Sequence, residues 1–159
     1  MNYPITTAIR VLRERKVEFE AHVFEYVEKG GTKHSAAVLG VDEHAVIKTL
    51  IFETNEKKPL IVLMHGDLQV STKELARVLN VKTVSPVSPE RANTLTGYLI
   101  GGTSPFGVKT KMTVYVEKTI FDLPKIYING GKRGFLVSLR PKVIKDILAI
   151  ERVEIGTSG

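Results

Sequence analysis

The segment Val46–Glu53, VIKTLIFE, does most to limit what this chain can become. It is β-branched and apolar on both faces, a composition that predicts a buried strand. Asn55–Pro59 reads as a turn, and Leu60–Met64 as the returning strand of a hairpin. Any fold for this chain has to be built around that pair. One residue does not match its setting. On the pleat, Lys48 shares a face with Val46, Leu50 and Phe52, while Ile47, Thr49 and Ile51 share the other. A lysine in such company snorkels to water, guards a sheet edge, finds a partner or lowers its pKa.

Other elements follow from local chemistry. Thr6 or Thr7 is placed to cap a helix running to about Lys16, with Ile5, Ile9 and Leu12 on its apolar stripe. Phe19, Ala21 and Val23 alternate with Glu18, Glu20 and His22, which predicts a half-buried strand. Ser35 is read as opening a short helix that Gly40 stops, and Asp42 as capping a further turn. Ser71 and Glu74 have the spacing of a capping box, ahead of a helix ended by Asn80. Ser88 and Pro89 begin another helix, about Glu90–Leu95. Strands are expected over Val114–Val116, Ile126–Asn129 and Phe135–Leu139, and a last helix over Lys142–Ala149 after Pro141. Helices and strands mix irregularly, so the expected class is α+β (mixed α/β) rather than a regular β-α-β winding. With 159 residues and no long linker, residues 1–155 read as one domain and 156–159 as a flexible tail.

The charge is unevenly placed. Residues 1–80 carry 11 basic and 11 acidic side chains; residues 81–159 carry 12 and 6. The second half therefore holds the whole excess of +6. A one-sided basic field attracts polyanions, of which nucleic acid is the commonest, although a merely solvated basic face has the same composition. The chain has no cysteine, which excludes disulfides, Cys-ligated metal and a thiol nucleophile. His22, His34, His44 and His65 lack metal-ligand spacing, and there is no G-x-S-x-G elbow. No apolar run approaches the ~20 residues that span a bilayer. Arg10, Arg13, Arg15 and Lys16 interrupt any signal-peptide core, so the expectation is a soluble cytoplasmic protein without a membrane partner.

Two glycine-rich segments remain. Thr96–Gly107, TGYLIGGTSPFG, has four glycines at 97, 101, 102 and 107, enough to aim backbone N–H groups at a carbonyl oxygen or phosphate. Gly102 and Gly107 are followed by Val108-Lys109-Thr110 rather than directly by Lys and Ser/Thr, so it is not a nucleotide-triphosphate loop. Asn129-Gly130-Gly131-Lys132-Arg133-Gly134 reads as a hairpin tip carrying two adjacent cations.

VIKTLIF around Lys48, TGYLIGGTSPFG at 96–107 and IYINGGKRG at 126–134, in that order, resemble the YbaK/EbsC family. Its members are free-standing aminoacyl-tRNA deacylases related to the editing domain inserted in bacterial prolyl-tRNA synthetases. The last two segments resemble the Cys-tRNA(Pro) deacylase branch most closely. The resemblance runs from about Thr6 to Leu148 and implies a curled mixed β-sheet surrounded by helices, with one pocket. It implies that Lys48 is the key polar residue, with the Gly101 and Gly102 backbone facing the ester. It implies Phe24, Thr49, Tyr98, Thr103, Asn129, Gly130 and Gly131 as substrate-binding positions. The partner it implies is aminoacyl-tRNA, with Lys109, Lys111, Lys132 and Arg133 on the nucleic acid and prolyl-tRNA synthetase as a possible second partner. Neither metal nor cofactor is implied. Phe24, Asn129 and Leu136 stand where relatives of this branch often have Tyr, Ser and Asp; the resemblance implies Cys-tRNA(Pro) first, its ester oriented, its oxyanion stabilised and its own thiol assisting, with an alanyl or seryl ester attacked by water as the alternative. A non-catalytic module binding tRNA or synthetase, and a small-molecule esterase, are the competing classes.

Overall fold

The computed structural model describes residues 2–158. Strands are β1 (Glu20–Val23), β2 (Val46–Thr54), β3 (Pro59–His65), β4 (Gln69–Val70), β5 (Val84–Pro86), β6 (Val114–Glu117), β7 (Ile126–Lys132), β8 (Phe135–Leu139), β9 (Ile150–Val153) and β10 (Gly156–Thr157). Helices are α1 (Thr7–Glu14), α2 (Gly31–Leu39), α3 (Thr72–Leu79), α4 (Pro89–Thr96) and α5 (Lys142–Ile147). Eight strands form one mixed sheet in the order β1-β8-β7-β2-β3-β6-β9, with β5 also paired to β2. The β2–β3 hairpin is antiparallel and central, as its sequence predicts, with Lys48 opposite Met64 and Ile51 opposite Ile61. The β2–β7, β3–β6 and β6–β9 pairs are parallel.

Alternation along the central strands divides the core. Ile47, Ile51, Ile61, Leu63, Ile128 and Val137 face α1, α4 and α5 in the largest cluster. On the opposite face, Phe52, Leu60, Val62 and Met64 pack with Leu75 and Ala76 of α3. Val46, Tyr127 and Leu136 pack with Ala36 of α2 in a smaller cluster on that same face. Lys48 lies on this second face, between Val46 of the small cluster and Leu50 beside the larger one.

The capping residues act as read. The hydroxyls of Thr6, Ser71 and Ser88 accept from the N–H groups of Ile9, Glu74 and Arg91. Asn80 and Gly40 close their helices in the left-handed conformation. Only half of the capping box forms, because the Glu74 carboxylate pairs with Arg77 and the Ser71 N–H donates to Ile155.

Several expectations are corrected. Ile5 precedes the cap, lies outside the helical stripe and is 49% exposed. Val23 is exposed at the end of the edge strand β1, whereas Phe19 and Ala21 pack on the core. Helix α2 begins four residues before Ser35, whose hydroxyl donates back to the Gly31 carbonyl as serine does inside a helix. Gly156 and Thr157 are not a loose tail. They pair with β4, and the buried Glu117 carboxylate accepts the N–H groups of Ile155 and Gly156. Gly159, the last residue of the expected tail, lies outside the described residues. No helix among those described is long and apolar enough to cross a membrane.

Candidate functional site

The site begins as an interruption in the sheet. On one side β2 runs beside β3 over its whole length; on the other it meets β7 only at Val46 and Ile47, and β5 only from Phe52 to Thr54. The bonds Gly66 N–H to Val46 and Thr54 N–H to Lys58 set the phase of the hairpin, so Lys48 and Leu50 direct their main-chain groups at β3. Thr49 therefore points its N–H and C=O into the interval between β7 and β5, where no strand meets it. Its hydroxyl is buried and also without a partner. A cleft of about 520 Å³ opens here. Buried polar groups in folded proteins nearly always have partners, so an unpartnered hydroxyl on a cleft wall, beside main-chain groups that no strand pairs with, is equipped to bind something.

Lys48 stands next to it on the other face of β2. Its ammonium donates to the Leu68 carbonyl in the turn after β3. Burial lowers its pKa from the usual lysine value, opposed by the nearby carboxylates of Glu43 and Asp67. The turn is held from several sides. Gly66 N–H donates to Val46 at 2.7 Å, and His44 Nδ1 donates to Asp67 at 2.9 Å. Thr32 donates to Glu43 at 2.8 Å. The His44 ring stacks on that of His65, with centroids 3.6 Å apart. Fully buried His65 donates from Nδ1 to the His44 carbonyl and accepts from the Thr119 hydroxyl at Nε2, both at 2.7 Å. Burial lowers its pKa and favours this neutral tautomer. His44, His65 and Asp67 come together only through the fold, and both ring nitrogens of His65 are already engaged, so the trio reads as a hydrogen-bonded support for the turn under Lys48.

Asn129 joins the two glycine-rich segments across the cleft. Its Nδ2 donates to Gly101 O at 3.2 Å, and its Oδ1 accepts from Gly131 and Lys132 N–H at 2.6 and 3.1 Å. Gly102 packs where a Cβ would stand 2.7 Å from the Arg133 nitrogen, so loop and hairpin touch backbone to backbone. Arg133 adds a bond from Nε to Ile100 O at 2.8 Å and lays its guanidinium over the Tyr26 ring.

Phe24, Lys48, Thr49, Gly101, Thr103, Asn129 and Arg133 all line the one cleft. The remaining predicted residues do not. Tyr98 is buried behind the loop; its hydroxyl donates to Phe106 O at 2.5 Å and burial pushes its pKa up to about 12. Its ring packs against Gly131, so it supports the wall. The Gly102 N–H donates to Leu99 O within its own turn, which removes it as an oxyanion donor. Gly130 lies against Phe135, and its carbonyl accepts from Thr6 at 2.5 Å. Lys109 lies along Gly97, and Lys109, Lys111 and Lys132 are exposed off the wall. Leu136, buried at the cleft wall with Phe24 beside it, makes that end apolar. Sequence reasoning missed Tyr26 and Ile100 at the mouth, which carry no signal except being apolar or aromatic in loops. Ser35 and His34 also border the cleft, but they bond to Gly31 O and Glu25 O and form no nucleophile–base pair. A wider cleft of about 870 Å³ at the far end of β8, near Arg15, Phe19, Lys125 and Arg140, contains none of the predicted residues.

A model of the aminoacyl-tRNA editing domain family matches residues 30–147. The chain is 28% identical over 153 residues to EbsC of Enterococcus faecalis, a candidate Cys-tRNA(Pro)/Cys-tRNA(Cys) deacylase, covering 96% of this chain and 93% of that protein. It is 30% identical over 100 residues to a proline–tRNA ligase of Streptococcus equi subsp. zooepidemicus, spanning only 16% of the ligase. In fold it is similar to the crystal structure of a candidate trans-editing enzyme for prolyl tRNA synthetase. The TM-score is 0.83 at 19% identity, covering 98% of this chain and 99% of the other.

Proposed function

This chain belongs to the aminoacyl-tRNA editing domain family, and from that premise we propose that it hydrolyses the ester joining an amino acid to the 3′ end of a mischarged tRNA, with Cys-tRNA(Pro) as the foremost substrate. The observation that carries the reading is the convergence of Lys48, the unpartnered Thr49 hydroxyl and a stretch of β2 at Thr49 that neither β7 nor β5 pairs with, on one cleft whose serine and histidine form no nucleophile–base pair. An aminoacyl ester is already activated, so orientation and stabilisation of developing negative charge are enough.

With a cysteinyl substrate, its own sulfur attacks the carbonyl carbon. The bond to the ribose oxygen breaks, the thiol proton passes to that oxygen, and tRNA departs with a free hydroxyl. Water then opens the cyclic thioester. Lys48 supplies positive charge beside the carbonyl or terminal phosphate, and the Gly101 backbone N–H donates to the developing oxyanion. Lys132 and Arg133 on the hairpin, with Lys109 and Lys111, contact the acceptor stem. The apolar Phe24–Leu136 end supports a second specificity, an alanyl ester hydrolysed by water. Prolyl-tRNA synthetase is the proposed protein partner.

The test is deacylation of purified Cys-, Ala- and Ser-charged tRNA(Pro) by wild type and Lys48→Ala. Loss of one stabilising group of this kind costs about 10²–10³ in rate. Loss of cysteine alone, dependent on Lys48, supports the foremost reading; loss of alanine or serine moves the specificity. Wild-type turnover by a folded Lys48→Ala protein overturns the role given to Lys48, and no turnover of any of the three by the wild type overturns the hydrolase.

A further inference from the structure

The mouth of the Lys48 cleft is apolar in an unusual way for a surface. Tyr26 is 36% exposed, Val27 45%, Leu99 61% and Ile100 55%. Isolated apolar residues on a surface need no explanation, but a group of them on the rim of a binding cleft marks a contact surface. Tyr26, Val27 and Ile100 line that cleft, and Leu99 adjoins them only through its neighbour Ile100 in the chain. The Tyr26 hydroxyl end packs on Gly101, where a Cβ would come within 2.8 Å of it. The Arg133 guanidinium centre lies 5.1 Å from the Tyr26 ring centroid and is held there by its bond to Ile100 O. Arg133 and Lys29 line the same rim with the carboxylate of Glu28 beside them, and exposed Lys132 adjoins it, so the balance of formal charge is positive.

If the reacting carbonyl lies beside Lys48, the ribose bearing it lies at the mouth. The base on that ribose is then within one nucleotide of the rim. Unpaired bases are taken up on aromatic side chains and on guanidinium planes, with cations alongside for phosphate. We propose that Tyr26, stacked with Arg133 and continued by Leu99 and Ile100, is a platform that takes the flat face of the substrate's terminal unpaired base. The inference rests on the hydrolase reading for its geometry, but it is tested without hydrolysis. Stacking reads no hydrogen-bonding edge, so the platform positions the ester without selecting the base.

The probe is an uncharged RNA minihelix whose 3′-terminal adenine is replaced by 2-aminopurine, which loses fluorescence on stacking. Wild type and Tyr26→Phe are expected to quench it; Tyr26→Ala is expected to bind roughly 5- to 150-fold more weakly, the range typical of a lost base–aromatic stack. With charged tRNA, Tyr26→Ala is expected to raise KM while leaving kcat at saturation unchanged. Undiminished quenching and affinity in folded Tyr26→Ala overturns the platform. So does a Leu99→Ser/Ile100→Ser protein that binds RNA normally but no longer binds a proline–tRNA ligase, because the patch would then belong to a protein partner. Lys48→Ala separates the two claims: at saturating protein it is expected to keep the Tyr26-dependent quenching while hydrolysing about 10²–10³-fold more slowly. Tyr26-dependent quenching by a wild type that hydrolyses no ester supports the platform and counts against the hydrolase alone.

Discussion

Gly102→Ala tests whether the cleft depends on the close approach of loop and hairpin. A Cβ at 102 meets Arg133 N at 2.7 Å, Lys132 C at 2.9 Å and Lys132 Cα at 3.1 Å, all of them backbone. No side chain can swing aside. The hairpin has to retreat by roughly 0.7 Å to regain ordinary contact at 3.4 Å. That retreat moves Asn129, Arg133 and the Gly101 loop relative to Lys48, which is fixed on the other side by the turn at Leu68. Overpacking of this kind costs about 1–3 kcal/mol, and a misplacement approaching 1 Å costs about 10²-fold in rate. A fall in Tm of roughly 4–8 °C is expected for a ~2 kcal/mol loss in a chain of this size. The expected fall in kcat/KM is 10- to 100-fold. Gly40→Ala is the control. Its φ of +67° makes alanine strained, but a Cβ there meets nothing, so it should lose comparable stability and keep its activity. Equal kcat/KM for Gly102→Ala and wild type in deacylation of charged tRNA refutes the argument that this contact sets the cleft.

Two further outcomes separate stability from function. Thr49→Val removes a buried hydroxyl that has no partner, so urea unfolding is expected to show a gain of up to ~1 kcal/mol while KM rises; a variant with unaltered KM would make the hydroxyl mere packing. His65, held neutral by burial, takes its proton below the ordinary 6.5, whereas the unfolded chain takes it near 6.5. The unfolded state then binds more protons, so stability is full above 6.5 and falls as pH drops from there towards the folded value. His65→Asn is expected to flatten the dependence of the urea midpoint between pH 7.5 and 5.5, leaving the part due to His22, whose pKa burial also lowers. A slope equal to wild type would refute this.

What was legible in the sequence follows from how local each feature is. The β2–β3 hairpin and the caps at Thr6, Asp42, Ser71 and Ser88 depend on neighbours a few residues away, and each formed. Lys48 was conspicuous because it broke a local pattern. Strand β9 was not anticipated, since its pairing to β6 is parallel and depends on residues far away in sequence. Tyr98 and Gly102 lay in the right segment, yet which way a ring or an N–H turns in a tight loop is decided by tertiary contacts such as Phe106 and Leu99. The His44–Asp67 pair is 23 residues apart in sequence and becomes a unit only when the hairpin closes. The C-terminal residues looked like tail because glycine, serine and threonine carry no burial signal; Glu117 holds them from outside the segment.

The interruption beside Thr49 bears on how this protein varies. Main-chain N–H and C=O groups are the same for nearly every residue type, so what they recognise survives most substitutions at position 49. An alanine scan at position 49 deletes the hydroxyl but leaves both main-chain groups in place, so it reads the hydroxyl alone. Replacing the amide of Thr49 by an ester, which deletes one donor and leaves the side chain alone, is the chemical edit that makes this part of the cleft visible.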